Sequence, residues 1–136
     1  MKYKIIEHTA DVMFEVYGKS LNELFENSAI AVTDVVVERG SLKSVIKKEI
    51  KLENEKIDNL LFDFIEELIY LKDAEGLLFK RFSAAVSGNK LKAVCFGDKI
   101  DREKHDLKTD VKAITLHKFE LKKLKSGYLA RFILDL

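Results

Sequence analysis

Seven segments of the chain alternate between apolar and polar residues, which is the pattern of a half-buried β-strand. The predicted strands span residues 3–8, 12–17, 45–52, 77–87, 90–98, 111–124 and 128–135. Gly88-Asn89 and Ser126-Gly127 mark turns between neighbouring strands, and residues 9–11 form a tight link between the first two. Because short links of this kind join antiparallel neighbours, the pattern predicts a mostly antiparallel sheet.

A first amphipathic helix is predicted to begin after Ser20. Glu23 follows three residues later, which is the spacing at which the two side chains cap a helix start reciprocally. Apolar and small residues then recur at helical spacing at Leu21, Leu24, Phe25, Ser28, Val32 and Val35. The other side of the helix carries polar residues that are expected to face away from the core: Asn22, Glu23, Glu26 and Asn27.

A second helix is predicted with Asp58 as its cap and an end near Gly76. Its wide apolar arc consists of Ile57, Leu60, Leu61, Phe64, Ile65, Leu68 and Ile69. Both helices are expected to lie on one face of a sheet. The sequence therefore predicts the α+β class, as a two-layer sandwich of one or more mostly antiparallel sheets with two main helices. No repeat or flexible linker interrupts the pattern, so residues 1–136 are expected to form a single domain.

The overall charge is nearly balanced, since 24 Lys and Arg stand against 23 Asp and Glu. This balance excludes a protein whose global field by itself gathers nucleic acid. Cys95 is the only cysteine, which excludes an internal disulfide and a cysteine-based zinc site, and its apolar neighbours predict burial. The apolar runs are shorter than the ~20 residues of a membrane span, and the amino terminus lacks a secretory pattern. A cytoplasmic protein with no membrane contact is therefore expected.

Two polar segments are candidate sites. Residues 7–11, Glu-His-Thr-Ala-Asp, place an imidazole and two carboxylates in one tight link, although Thr and Asp also stabilise ordinary turns. The connection from 98 to 110 is the one long loop, where function is often found, although solvation alone explains most of it. His105 in this loop does not match a zinc spacing with His8 or His117, so zinc is not favoured.

The last residues of the chain are a third candidate. A chain that stops at the end of a strand leaves its free carboxylate close to the side chain of Asp135. If Asp11 comes near, two carboxylates and a main-chain terminal group offer oxygen ligands to Ca²⁺ or Mg²⁺. A Lys-rich hairpin could touch RNA phosphates, but a solvated face explains it better. The hairpin residues are Lys118, Lys122, Lys123, Lys125, Tyr128 and Arg131.

Three segments are distinctive: Glu-His-Thr-Ala-Asp at 7–11, Val-Lys-Ala-Ile-Thr at 111–115 and Ile-Leu-Asp-Leu at 133–136. Weaker matches lie between them at Gly18 with Ser20-Leu21, Phe25-Glu26-Asn27, 58–61, Gly97 and 101–105. Taken in order, these segments make essentially the whole chain resemble the archease family. The resemblance implies an accessory protein of the RtcB-type RNA ligase, which joins exons of cleaved tRNA with GTP and a divalent metal.

The resemblance implies that this chain promotes guanylylation of the ligase's active-site histidine and multiple turnover in tRNA splicing. It implies metal ligation by Asp11, Asp135 and the main-chain oxygen of Leu136, with calcium or magnesium as the metal. The functional lysine of the family corresponds to Lys112. The family has also been discussed as chaperone-like and as a modulator of tRNA methylation, which makes a tRNA methyltransferase a further possible partner.

Other functions remain open beside this one. His8 and His105 lie inside the family motifs without an assigned role and are kept as candidate partner-activation residues. A small metal-dependent hydrolase would use Asp11, His105 and Asp135, because carboxylates beside a cation can activate water. A chaperone-like or RNA-binding module would instead show salt-sensitive RNA affinity or suppress aggregation of unrelated proteins.

Overall fold

The computed structural model describes residues 2–8 and 10–136, and for residues 7 and 8 the main chain alone. The predicted link at residues 9–11 therefore lies partly outside the described residues, at Thr9. The strands are β1 (Tyr3–His8), β2 (Asp11–Gly18), β3 (Ile46–Glu53), β4 (Leu77–Ser87), β5 (Lys90–Lys99), β6 (Ala113–Leu124) and β7 (Gly127–Asp135). The helices are α1 (Leu21–Val36) and α2 (Ile57–Glu75), with a short 3₁₀ turn at Arg39–Ser41. All seven predicted strands and both predicted helices are confirmed within two residues at each end.

The strands form two antiparallel sheets. The first has the order β1-β2-β7-β6 and the second has the order β3-β5-β4. Both helices contact strands of both sheets. The α+β class with antiparallel sheets and two main helices is confirmed. The strands divide into two sheets, and strands of both sheets pack against the helices. Alternation along a strand reports which side is buried, and it does not report which strand is the neighbour.

Helix α1 begins as predicted at Ser20, whose Oγ accepts a hydrogen bond from the main-chain N–H of Glu23 at 3.1 Å. Its polar side faces away from the core only in part: Asn22 is exposed, whereas Asn27 is buried. Asn27 is buried and donates to the carbonyl oxygen of Tyr17 at 2.7 Å. Asn22 and Glu26 accept hydrogen bonds from main-chain N–H groups of β4, at 2.7 and 2.8 Å. Since β4 is an edge strand, these side chains satisfy amides that no neighbouring strand can reach.

Helix α2 ends as predicted at Gly76, which has the left-handed conformation (φ 65°) that favours glycine. The prediction that Asp58 caps its start was wrong. Lys56 occupies the cap position without a side-chain cap, and Asp58 lies in the first turn. A carboxylate in the first turn still interacts favourably with the positive end of the helix dipole, so it contributes there without capping.

The core joins both sheets and both helices in one apolar cluster. Phe25 of α1 stacks on Phe64 of α2 at 6.0 Å between ring centres, and Phe14 of β2 meets Phe132 of β7 at 5.8 Å. Cys95 is fully buried, as predicted, and burial raises the pKa of its thiol to about 12. No helix in the described part of the chain is long and apolar enough to cross a membrane.

Candidate functional site

Two of the candidate residues, Asp11 and Asp135, lie next to each other on adjacent strands. They are direct partners in the register of β2 and β7, so their side chains leave the same face of the first sheet. Both side chains are exposed. In such pairs the Cβ atoms are about 4.5–5.5 Å apart, and like charges directly opposite each other are destabilising. Two neighbouring carboxylates therefore form an anionic position that a cation would stabilise.

Main-chain hydrogen bonds bring two further segments to this position. The N–H of Leu136 donates to the carbonyl oxygen of Ala10 at 3.2 Å, and the N–H of Lys112 donates to the carbonyl oxygen of Asp135 at 2.8 Å. The side chain of Lys112 is exposed. The structure thus places Asp11, Asp135, Leu136 and Lys112 side by side. We call the first three the anionic nook.

The donors of the anionic nook fit a hard cation. Carboxylate and main-chain oxygens are the ligands that Ca²⁺ and Mg²⁺ take in proteins, with water completing the shell. The described residues contain no group of three His, Cys, Asp or Glu side chains that could hold a metal. Among the described side chains, the nook offers the carboxylates of Asp11 and Asp135, and the main-chain oxygen of Leu136 and water would supply the remaining ligands.

Lys72 is not among the site residues predicted from the sequence, although it holds the segment that leads to Lys112. It lies on α2 with only 6% of its side chain exposed, and its Nζ donates to Asp110 at 2.7 Å and also to Asp73. Burial lowers the pKa of Lys72, but the hydrogen bonds to the two carboxylates outweigh this effect and raise it. Lys72 follows Ile69 by three residues and so lies on the apolar arc of α2. This spacing is the feature of the sequence that could have indicated its burial.

His105 is a structural part of the loop between β5 and β6. It is buried, its Nδ1 accepts from the N–H of Asp101 at 3.0 Å, and its Nε2 lies 3.2 Å from Asp98 Oδ2. This pattern assigns the ring proton to Nε2, which then donates to Asp98. Within the described ranges, Asp11, His105 and Asp135 do not form a three-ligand group, so the hydrolase arrangement lacks its geometry.

Arg131 differs from the lysines of the hairpin, because its guanidinium is engaged within the sheet. Arg131 binds Glu15 directly across the strands and lies 3.7 Å from Glu120, while Lys4 lies 3.4 Å from Glu15. The hydrogen bond from Arg131 is the main cause that lowers the pKa of Glu15. Lys4, Glu15, Arg131 and Glu120 thus alternate in sign across the four strands of the first sheet, and their charges cancel.

The remaining sequence candidates have simpler outcomes. The side chain of His8 lies outside the described residues. His117 is exposed on β6, and its N–H donates to Thr115 Oγ1 at 3.1 Å. The Lys-rich hairpin is solvent-exposed at Lys118, Lys122, Lys123 and Lys125. The structure therefore brings together the two ends of the predicted metal site and Lys112, and it leaves His105 and His117 outside the anionic nook.

Comparison with known proteins gives consistent matches over the full length. A model of the Archease protein family (MTH1598/TM1083) matches residues 3–136. The protein archease of Pyrococcus abyssi is 40% identical over 140 residues and that of Sulfurisphaera tokodaii is 34% identical over 137 residues, with 99% of both chains covered in each case.

Two solved structures share the fold. The solution structure of Methanobacterium thermoautotrophicum protein 1598 has a TM-score of 0.87 at 29% identity, with 99% of each chain covered. A crystal structure from Thermotoga maritima, described as an archease and possible chaperone, has a TM-score of 0.67 at 26% identity. The second match covers 98% of this chain and 96% of that chain.

Proposed function

Because the chain belongs to the Archease protein family, we propose that it is an accessory protein that activates an RtcB-type RNA ligase in tRNA splicing. It promotes guanylylation of the ligase and multiple turnover, and it meets tRNA through the ligase. The observation that carries this proposal is the register of β2 and β7, which sets Asp11 opposite Asp135. The possible chaperone role attributed to the Thermotoga protein is compatible with an accessory function of this kind.

The proposed working part is the anionic nook with Lys112 beside it. Asp11, Asp135 and the main-chain oxygen of Leu136 hold a calcium or magnesium ion, which when bound supplies a concentrated positive charge for phosphate oxygens. The Lys72–Asp110 contact holds the loop end two residues before Lys112. Lys112 then presents its ammonium group to phosphate or carboxylate groups of the partner. In this arrangement the chain itself catalyses no reaction. Its proposed location is the cytoplasm, together with the ligase that it activates.

The proposal is tested by ligation with a purified RtcB-type ligase present well below the RNA concentration. Asp11→Asn and Asp135→Asn remove one charge each and keep the side-chain size. Because either loss halves the carboxylate charge of the nook, both variants should lose at least tenfold in ligation events per ligase. Lys112→Ala should lose a comparable factor, and Lys112→Arg should retain part of the stimulation because it keeps the charge.

Glu66→Gln is the matched control for the loss of one carboxylate. Glu66 is exposed on α2 and has no hydrogen bond or ion pair with the described residues of the nook, so its loss should leave stimulation unchanged. Full stimulation by both aspartate variants would refute the proposed role of the nook. Phosphoester hydrolysis by the purified chain alone, lost in the same variants, would favour the hydrolase alternative.

A further inference from the structure

The outer face of the second sheet is not covered by either helix. Along β3 and β5 the buried residues alternate with residues that point to solvent, and the helices lie on the buried side. The register aligns the outward residues in cross-strand rows. The rows are Lys47, Phe96 and Arg81, then Glu49, Val94 and Ser83, then Lys51, Lys92 and Ala85. We call these nine residues the outer platform.

Cations dominate the outer platform. Lys51 pairs with Glu49 at 3.2 Å, which leaves Lys47, Arg81 and Lys92. These three form no ion pair with any residue in the part of the chain that the structure describes. The basic surroundings lower the pKa of Glu49, through the hydrogen bond from Lys51 first and the charge of Lys92 next. The platform is therefore a local positive surface on a protein whose formal net charge is only +1.

An aromatic side chain lies in the middle of this positive surface. Phe96 is partly exposed on the central strand, and the guanidinium carbon of Arg81 lies 4.8 Å from the centre of its ring. The ring holds the flat guanidinium group in place through a cation–π contact. Both a phenyl ring and a guanidinium plane are surfaces on which free nucleobases stack. Val94 adds a partly exposed apolar neighbour on the same strand.

From these observations we infer that the outer platform binds single-stranded nucleic acid. Bases stack on the Arg81–Phe96 pair, and Lys47 and Lys92 contact the phosphates on either side. Three strands with five residues each give a face about 10 Å wide and about 15 Å long, which suits a short stretch of single strand. A duplex is disfavoured because its bases already stack on one another. This site is separate from the anionic nook, and the inference does not depend on ligase activation.

Two other basic surfaces lack this combination. The cations Lys4 and Arg131 on the first sheet are paired with Glu15. The β6–β7 hairpin carries two partly buried aromatic residues, Phe119 and Tyr128, but both pack against the core, and Phe119 also meets Phe62 edge-on at 5.5 Å. The outer platform therefore offers unpaired cations and a stacking surface together.

The test is fluorescence anisotropy of a labelled single-stranded RNA of about ten nucleotides at low salt. The triple variant Lys47→Gln, Arg81→Gln, Lys92→Gln should bind at least tenfold more weakly than the natural chain. The slope of log affinity against log salt should become shallower by about 1.4, because the phosphate contacts of Lys47 and Lys92 are lost and each contributes about 0.7 for a single strand. Phe96→Leu should weaken binding about tenfold through lost stacking, with the salt slope unchanged.

The matched control is Lys122→Gln, Lys123→Gln, Lys125→Gln, which removes three charges from the hairpin and should retain natural affinity. Arg81→Lys keeps the charge and removes the planar group, so it tests stacking even if Phe96→Leu does not fold. Three results would each overturn the inference: no binding by the natural chain, greater loss in the hairpin triple variant than in the platform triple variant, or equal competition by polyglutamate or by duplex of the same sequence.

Discussion

Ser28 is a buried polar residue whose role differs from that of its neighbours on α1. Its side chain is fully buried, and its hydroxyl oxygen has no hydrogen-bond partner among the described residues. Thr33, one turn further along, is also buried, but its hydroxyl donates to the carbonyl oxygen of Ala29 at 2.8 Å. A hydroxyl without a partner costs free energy on burial, whereas a bonded one recovers that cost.

We expect Ser28→Ala to raise the free energy of unfolding by about 1 kcal/mol, because it removes the unpaired hydroxyl and places a better helix former in α1. Urea denaturation measures the change. Thr33→Val is the control, since it removes a bonded hydroxyl and should bring no gain. An equal gain in both variants would show that the hydrogen-bond state of Ser28 is not the cause.

At the scale of elements, β4 depends on contacts that a strand pattern does not reveal. Its register with β5 shifts between Phe79 and Arg81, where the two backbones come close. Gly97 lies opposite this irregularity. A Cβ atom on Gly97 would lie 2.0 Å from the carbonyl oxygen of Leu78 and 2.6 Å from the Cα of Phe79. Only the absence of a side chain permits this approach.

Gly97→Ala should therefore lower the free energy of unfolding by about 3 kcal/mol, because backbone atoms of β4 have to move. Urea denaturation of the variant gives the loss directly. Gly40→Ala is the control in the 3₁₀ turn, where the added Cβ would meet only Glu38 Oε1 at 3.8 Å. A loss in Gly97→Ala no larger than in Gly40→Ala would contradict the importance of this close approach.

At the scale of the whole molecule, the anionic nook joins the beginning and the end of the chain. Asp11 follows the first link and Asp135 ends the last strand, so the nook exists only in the folded state. A cation that binds only the folded state must stabilise it, by about 2.7 kcal/mol at a hundredfold excess over the Kd. Binding is thus measurable without any ligase.

We expect millimolar Ca²⁺ or Mg²⁺ to raise the thermal midpoint of the natural chain and to leave Asp11→Asn and Asp135→Asn nearly unchanged. In the presence of a chelator, each variant should instead match or slightly exceed the natural chain, because the repulsion between opposed carboxylates is relieved. Differential scanning calorimetry with and without chelator gives both comparisons. A cation shift of equal size in the natural chain and both variants would exclude the nook as the binding site.

The sequence by itself determined most of the local structure. Alternation and helical spacing located the seven strands and two α-helices of the described residues, Ser20 marked the start of α1, and the neighbours of Cys95 indicated its burial. These features depend on residues close together in the chain, whose periodicity reports directly which side of an element is buried. The distinctive segments at both ends of the chain likewise indicated the family before the fold was known.

The tertiary structure decided how the elements meet. The division into two sheets, the contacts of Asn22 and Glu26 with β4, and the burial of Lys72 against Asp110 all join residues far apart in sequence. Periodicity carries no information about such partners. A polar side chain that faces solvent and one that accepts a hydrogen bond from an edge strand both appear as polar residues on the same side of the helix. For the same reason, only the register of β2 and β7 could show that Asp11 and Asp135 leave the same face of the sheet.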